Sequence, residues 1–223
     1  MATDSRPGDA ILARLKVYPP TPLMKNSELA KLLIQYSYRP APRGEYFTLA
    51  SGDKSKFYFD CQRTTLMARA MPLIGKAFLE KFAEMGLAPQ AIGGLVLGAD
   101  PIMIATLSEA YQMGLEILGF RVRKEAKNHG TKQLVEGPVS PPMQVIVVDD
   151  VVTRGTSVIQ AIRTCRDEGY EVIGCVVLVD RQEKNGIKRI QDELGNAPVA
   201  PIFSWEQLKP IIEREYGLPE SIG

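Results

Sequence analysis

Between Val145 and Ser157 the chain reads VIVVDDVVTRGTS. Apolar β-branched residues run straight into two carboxylates, Asp149 and Asp150. Val151 and Val152 follow, and then Thr153, Arg154, Gly155, Thr156 and Ser157. A segment of this kind offers two chemistries. Adjacent carboxylates accept hydrogen bonds from neighbouring hydroxyls. A Thr/Gly/Ser turn that opens a helix presents hydroxyls and unpaired backbone N–H groups, and the helix dipole favours a phosphate there. A sugar phosphate satisfies both, and Gly155 lets the backbone approach it closely. Asp, Thr and Ser also cap helices without binding anything, but the full pattern is more than a cap requires. Neither GxxxxGK[ST] nor a GxGxxG after a strand is present.

Two other groups stand out. LVDRQE (178–183) sets Arg181 between Asp180 and Glu183. A guanidinium there suits a planar anion, and a surface ion pair is the ordinary alternative. FRVRKEAKNHG (120–130) and the residues after it gather five cations, Arg121, Arg123, Lys124, Lys127 and Lys132, against one anion, Glu125. It also holds His129, the chain's single histidine. The net charge of the whole chain is only +1, so positive charge is concentrated in this loop.

The apolar runs that must position these groups are near-continuous: AIGGLVLG (91–98), LEILGFRV (115–122), QVIVVDD (144–150) and EVIGCVVLVD (171–180). Unbroken runs predict strands covered on both faces. Between them, Ile74, Phe78, Phe82 and Met85 form a helical stripe ending at Gly86. Val158, Ala161, Ile162 and Cys165 form another, ending at Gly169. The alternation predicts an α/β fold, an open, mainly parallel sheet flanked by helices. With Val145–Val148 as a strand, Asp149 and Asp150 fall beyond its carboxyl end, where open sheets bind ligands. FTLASGDKSKFYFD (47–60) predicts a hairpin around a Ser-Gly-Asp-Lys turn, part of a small hood built largely from residues 26–62. The polar stretch 123–133 predicts a loop.

Length and composition, 223 residues with 45% hydrophobic and 24% charged, fit one large α/β domain over residues 26–223. Residues 1–25, with Pro19, Pro20 and Pro22, predict an extended or loosely ordered leader of unread role. A net charge near zero argues against nucleic-acid binding. No apolar run approaches the roughly 18 residues of a membrane span. Cys61, Cys165 and Cys175 lack CxxC spacing, which fits a reducing, cytoplasmic compartment and no zinc site.

The 145–157 segment resembles the phosphoribosyl-pyrophosphate signature of type I phosphoribosyltransferases. With FTLASGDKSKFYFD, FRVRKEAKNHG and LVDRQE added, the chain from about residue 27 to 205 resembles the orotate phosphoribosyltransferases. The resemblance implies transfer of a 5-phosphoribosyl group from 5-phosphoribosyl 1-pyrophosphate to orotate in UMP synthesis, with Mg²⁺ bridged mainly by the substrate and no protein side chain assigned to it. Asp149 and Asp150 would hold the ribose hydroxyls, Thr153 to Ser157 would wrap the 5-phosphate, and Val151 and Val152 would belong to the same sugar-pyrophosphate site. Arg181, Thr153 and the backbone around Tyr58 and Phe59 would hold orotate. Arg123, Lys124, Lys127 and His129 would close over the pyrophosphate, stabilising its charge and excluding water. In the family this loop reaches into the neighbouring subunit of a homodimer, so it would act in trans. No fused decarboxylase domain is expected after residue 223. Three positions depart from the family pattern: Ala50 stands where many members have Lys, LVLGADP has no Lys after it, and Arg154 is unusual in a phosphate loop. A purine phosphoribosyltransferase would share the sugar-phosphate signature but not the basic loop or Asp-Arg-Gln-Glu. A non-catalytic sensor of the sugar pyrophosphate would have less use for the cationic loop.

Overall fold

Alternate residues of the long apolar strands face two different cores, which is why those runs carry no polar face. Ile146, Val148, Val176 and Leu178 belong to one buried cluster. Val145, Val147, Cys175 and Val177 belong to another on the opposite side of the sheet. The computed structural model describes residues 11–15, 27–48, 52, 54–125 and 133–216.

The sheet is formed by β5 (Ala91–Leu95), β6 (Leu118–Val122), β7 (Val135–Glu136), β8 (Gln144–Val152), β9 (Glu171–Asp180) and β10 (Val199–Ser204), in spatial order β10-β9-β8-β5-β6-β7. Every pairing is parallel except β6 with the short edge strand β7. On one face lie α3 (Met71–Glu84), α4 (Ala99–Gln112) and α7 (Trp205–Tyr216), burying Ile74, Phe78, Phe82, Ile102, Leu208 and Ile212. On the other lie α5 (Thr156–Asp167) and α6 (Gly186–Leu194), burying Val158, Ala161, Ile162, Cys165 and Ile190. The expected stripes hold, except that Met85 follows the last turn of α3.

The hood begins with α1 (Ser27–Leu32), which runs into a π-helical turn, Leu33–Ser37, and then β1 (Tyr38–Pro40). β2 (Phe47–Thr48) pairs antiparallel with β3 (Lys54–Ser55), as the hairpin reading requires. The hairpin is shorter than expected, because β4 (Phe57–Phe59) leaves it and pairs with β1 instead. A short helix, α2 (Gln62–Thr65), follows. Leu29, Leu33, Ile34, Tyr38, Phe57 and Phe59 are buried in the same cluster as α3 and α7, so the hood is fastened to one face of the sheet. The reading of residues 1–25 as loosely ordered is corrected at 11–15, which are helical. Leu15 is buried in the main cluster, and the Arg14 guanidinium donates to the Gly114 carbonyl. Among the described residues no helix is long and apolar enough to cross a membrane.

Candidate active site

β8 extends to Val152, beyond the Val145–Val148 strand read from the sequence. Asp149 and Asp150 therefore lie within its last rungs, with Asp149 opposite Val177 and Val152 opposite Asp180. The neighbouring β9, one residue longer, keeps the pairing going, which apolar patterning could not reveal. Asp149 Oδ1 accepts from the Asp150 N–H at 3.0 Å. Both carboxylates reach the turn after β5: a Cβ at Gly98 would stand 2.5 Å from Asp149 Oδ1 and 2.8 Å from Asp150 Oδ1. Only a glycine admits that approach.

Burial, reinforced by the charge of Asp150, pushes the Asp149 carboxyl well above the usual carboxylate range. Burial likewise raises Asp150 to about 6, against the pull of backbone hydrogen bonds, while Asp60 adds to the rise. Holding two charges here is unfavourable unless a ligand supplies donors.

Two adjoining clefts open over the carboxyl ends of the strands. One, of about 440 Å³, is lined by Tyr58, Phe59, Asp149, residues 151–157 and Arg181. The other, of about 450 Å³, includes Asp60, Cys61, Gly98, Lys124 and Asp150, and shares Tyr58, Phe59, Asp149, Val151 and Ser157 with the first. Gly155 precedes α5 at φ 73, in the left-handed region, and so turns the chain from strand into helix. The α6 helix braces this turn. Arg189 Nη1 donates to the Arg154 carbonyl at 2.7 Å, and a Cβ at Gly186 would come within 2.5 Å of the Thr153 carbonyl.

Arg181 is only 3% exposed and is no surface ion pair. Its Nη2 donates to Ser55 Oγ at 2.9 Å, to the Phe57 carbonyl at 3.2 Å and to Glu183 Oε1 at 3.2 Å. Its guanidinium lies over the Phe57 ring, 4.5 Å from the centroid. Its Nε is buried with no acceptor among the described residues.

Of the basic loop, Arg123 approaches Glu136 at 3.6 Å and Lys124 lines the second cleft. Lys127 and His129 lie outside the described residues, as does Ala50. Sequence reading thus brought most of the cleft together and named Glu183 as a possible partner of Arg181, which it is at 3.2 Å, but missed Ser55, Phe57 and Trp205. Ser55 and Phe57 carry no chemical signal of their own, and no local pattern links them to a residue 124 or more positions away.

The model of the phosphoribosyl transferase domain matches residues 102–201, from the start of α4 into β10. The orotate phosphoribosyltransferase of Rhodopirellula baltica is 41% identical over 160 residues, covering 70% of this chain and 82% of that protein. The Aquifex aeolicus orotate phosphoribosyltransferase is 38% identical over 186 residues, 83% of this chain and 98% of its own. The chain belongs to the orotate phosphoribosyltransferase family. Solved structures agree: Mycobacterium tuberculosis orotate phosphoribosyltransferase in complex with 5-phospho-alpha-D-ribosyl 1-diphosphate superposes with a TM-score of 0.66 at 32% identity, over 82% of this chain and 98% of that one. Adenine phosphoribosyltransferase of Saccharomyces cerevisiae, at 17% identity and a TM-score of 0.56, shares the fold alone. A sheet common to enzymes named for different bases does not select the base. In this member of the orotate phosphoribosyltransferase family, the hood residues Tyr58 and Phe59 and Arg181 of the β9–α6 loop line the cleft beside that sheet.

Proposed function

We propose that this chain transfers the 5-phosphoribosyl group of 5-phosphoribosyl 1-pyrophosphate to orotate, giving orotidine 5-phosphate and pyrophosphate. The bond from the ribose anomeric carbon to the pyrophosphate oxygen breaks, a bond from that carbon to a ring nitrogen of orotate forms, and the proton of that nitrogen passes to the departing pyrophosphate or to solvent. The observation that carries this reading is a pair of adjoining clefts, one holding the 153–157 turn, Asp149 and Arg181, the other sharing Asp149 with it and adding Asp150.

In this reading the backbone N–H groups and hydroxyls of Thr153–Arg154–Gly155–Thr156–Ser157 take the 5-phosphate. Asp149 and Asp150 accept the ribose hydroxyls. Arg181 meets the orotate carboxylate or a ring oxygen, with Thr153 and the backbone at Tyr58 and Phe59 beside the ring. Catalysis is then chiefly positioning and electrostatic stabilisation of a ribose carrying positive charge.

In this reading Mg²⁺ accompanies the sugar pyrophosphate and would be held mainly by the substrate. The hard oxygen donors facing the cleft are Asp149 and Asp150. When bound, the ion neutralises charge on the pyrophosphate.

The reading includes a homodimer in which loop 123–133 serves the neighbouring site in trans, through Arg123, Lys124, Lys127 and His129. In support, Leu97 is 69% exposed and, on α4, Tyr111 is 83% exposed with Ile104 two turns away, an apolar surface that a second subunit would cover. No nucleic-acid partner is part of the reading. Cytoplasmic residence is supported by three free, buried cysteines.

The test is orotate absorbance, followed on adding the sugar pyrophosphate and Mg²⁺ to purified protein. Orotate should be consumed, while adenine, hypoxanthine and guanine are not. Turnover of a purine without turnover of orotate overturns the assignment.

A further inference from the structure

At the start of α7, Trp205 stacks on Phe57, with ring centroids 4.3 Å apart and planes inclined by 6°. Phe57 in turn lies under the Arg181 guanidinium at 4.5 Å. One aromatic ring therefore links the buried arginine to the first residue of the C-terminal helix. A second tie runs alongside. Gln182, next to Arg181 and held at φ 52, accepts the Glu206 N–H on its Oε1 at 2.8 Å. The loop carrying Arg181 and the helix carrying Trp205 are thus fixed to each other twice.

We infer that Trp205 is a positioning residue for base recognition, holding Phe57 flat so that Arg181 meets the base in one plane. This rests on the reading that orotate sits against Arg181. The physical reason lies in the hydrogen-bond inventory of the guanidinium. Nη2 is committed to Ser55, Phe57 and Glu183, whereas Nε is buried without an acceptor among the described residues. Guanidinium donors lie in a rigid plane, so a tilt that leaves one nitrogen bonded still carries the others off a planar acceptor. The ring beneath opposes that tilt, and Trp205 backs the ring. Neither Trp205 nor Phe57 is among the residues that line the cleft with the 153–157 turn, so loss of the stack should act on the base and spare the sugar phosphate.

The experiment compares Trp205→Ala and Trp205→Phe in steady-state kinetics with each substrate varied. Trp205→Ala should raise KM for orotate about threefold to tenfold, the worth of one aromatic stack, with KM for the sugar pyrophosphate unchanged. Trp205→Phe should restore most of the loss. A folded Trp205→Ala protein with an unchanged orotate KM, or with both KM values raised alike, overturns the inference. Trp205 is the chain's only tryptophan, so the wild-type protein supplies a readout that needs no variant. Its fluorescence lifetime should change on saturation with orotate, and an unchanged lifetime overturns the inference even if Trp205→Ala fails to fold. Arg181→Gln separates the two levels. If it leaves orotate KM unaltered, the placement of orotate at Arg181 fails. If it raises that KM while Trp205→Ala does not, only the role of Trp205 fails.

Discussion

Gly98 and Asp149 meet at a point where no side chain fits: a Cβ on Gly98 would lie 2.5 Å from Asp149 Oδ1. The atoms that must yield are the far ends of two carboxylates, not backbone. Gly98→Ala should therefore keep the fold, with Tm within a few degrees of wild type. The displaced carboxylates should lower kcat/KM for the sugar pyrophosphate by about tenfold or more, since sub-ångström misplacement of binding groups is felt at the reacting centre. Unaltered kinetics in a folded Gly98→Ala protein would remove Asp149 and Asp150 from the binding machinery.

Gly155→Ala should behave in the opposite sense. Its φ of 73 is strained for any L side chain, and a Cβ there would press to 2.8 Å from Ile190 Cγ1 and 3.0 Å from the Gly186 carbonyl. The neighbours are packed core and backbone, so the penalty falls on stability, roughly 1 to 3 kcal/mol. Thermal unfolding measures it, and a Tm equal to wild type would show that the turn relaxes freely.

An aspartate whose pKa is raised in the folded protein binds its proton more tightly there than in the unfolded chain. For Asp150, moved from 3.8 to about 6, stability should fall as pH rises through that window and stay low above it. Asp150→Asn removes the charge, so it should stabilise the ligand-free protein at pH 7 by roughly 1 to 3 kcal/mol while removing most activity. Near pH 3 the two proteins should unfold alike. A variant less stable than wild type at pH 7 would mean that Asp150 is a structural cap.

Shared sites predict complementation. Lys127→Ala and the Asp149/Asp150→Asn pair should each be nearly inactive alone. After subunit exchange, random pairing makes about half of the dimers mixed, and each mixed dimer has one intact site, so activity should recover to roughly a quarter of wild type. Verified exchange without recovery would return the loop to its own subunit.

The carboxylate pair, the turn at Thr153–Ser157, the parallel sheet and the two helical stripes were legible because each is a local pattern. Strand periodicity, helix-starting residues and the requirement of a phosphate for unpaired N–H groups all act within about a dozen neighbouring positions. The length of β8 was not legible. Its last rungs exist because β9 continues beside them to Asp180, and pairing between strands leaves no mark in either run. Likewise the sequence 47–60 contains a hairpin, but β4 belongs to β1, whose partner is set by how the hood packs on α3 and α7.

Arg181 divides what the chain determines alone from what folding decides. Its type and its place in Asp-Arg-Gln-Glu at the end of an apolar run left an ion pair and a planar-anion site both open, and the resemblance to the orotate phosphoribosyltransferases nominated it as a carboxylate-binding group. Folding decided that it is buried, that Ser55, Phe57 and Glu183 occupy Nη2, and that Phe57 lies between it and Trp205. The reason is physical: chemistry resides in side-chain types that a sequence spells out. The desolvation, orientation and unpaired donor that make a guanidinium selective arise only when segments far apart in the chain close around it.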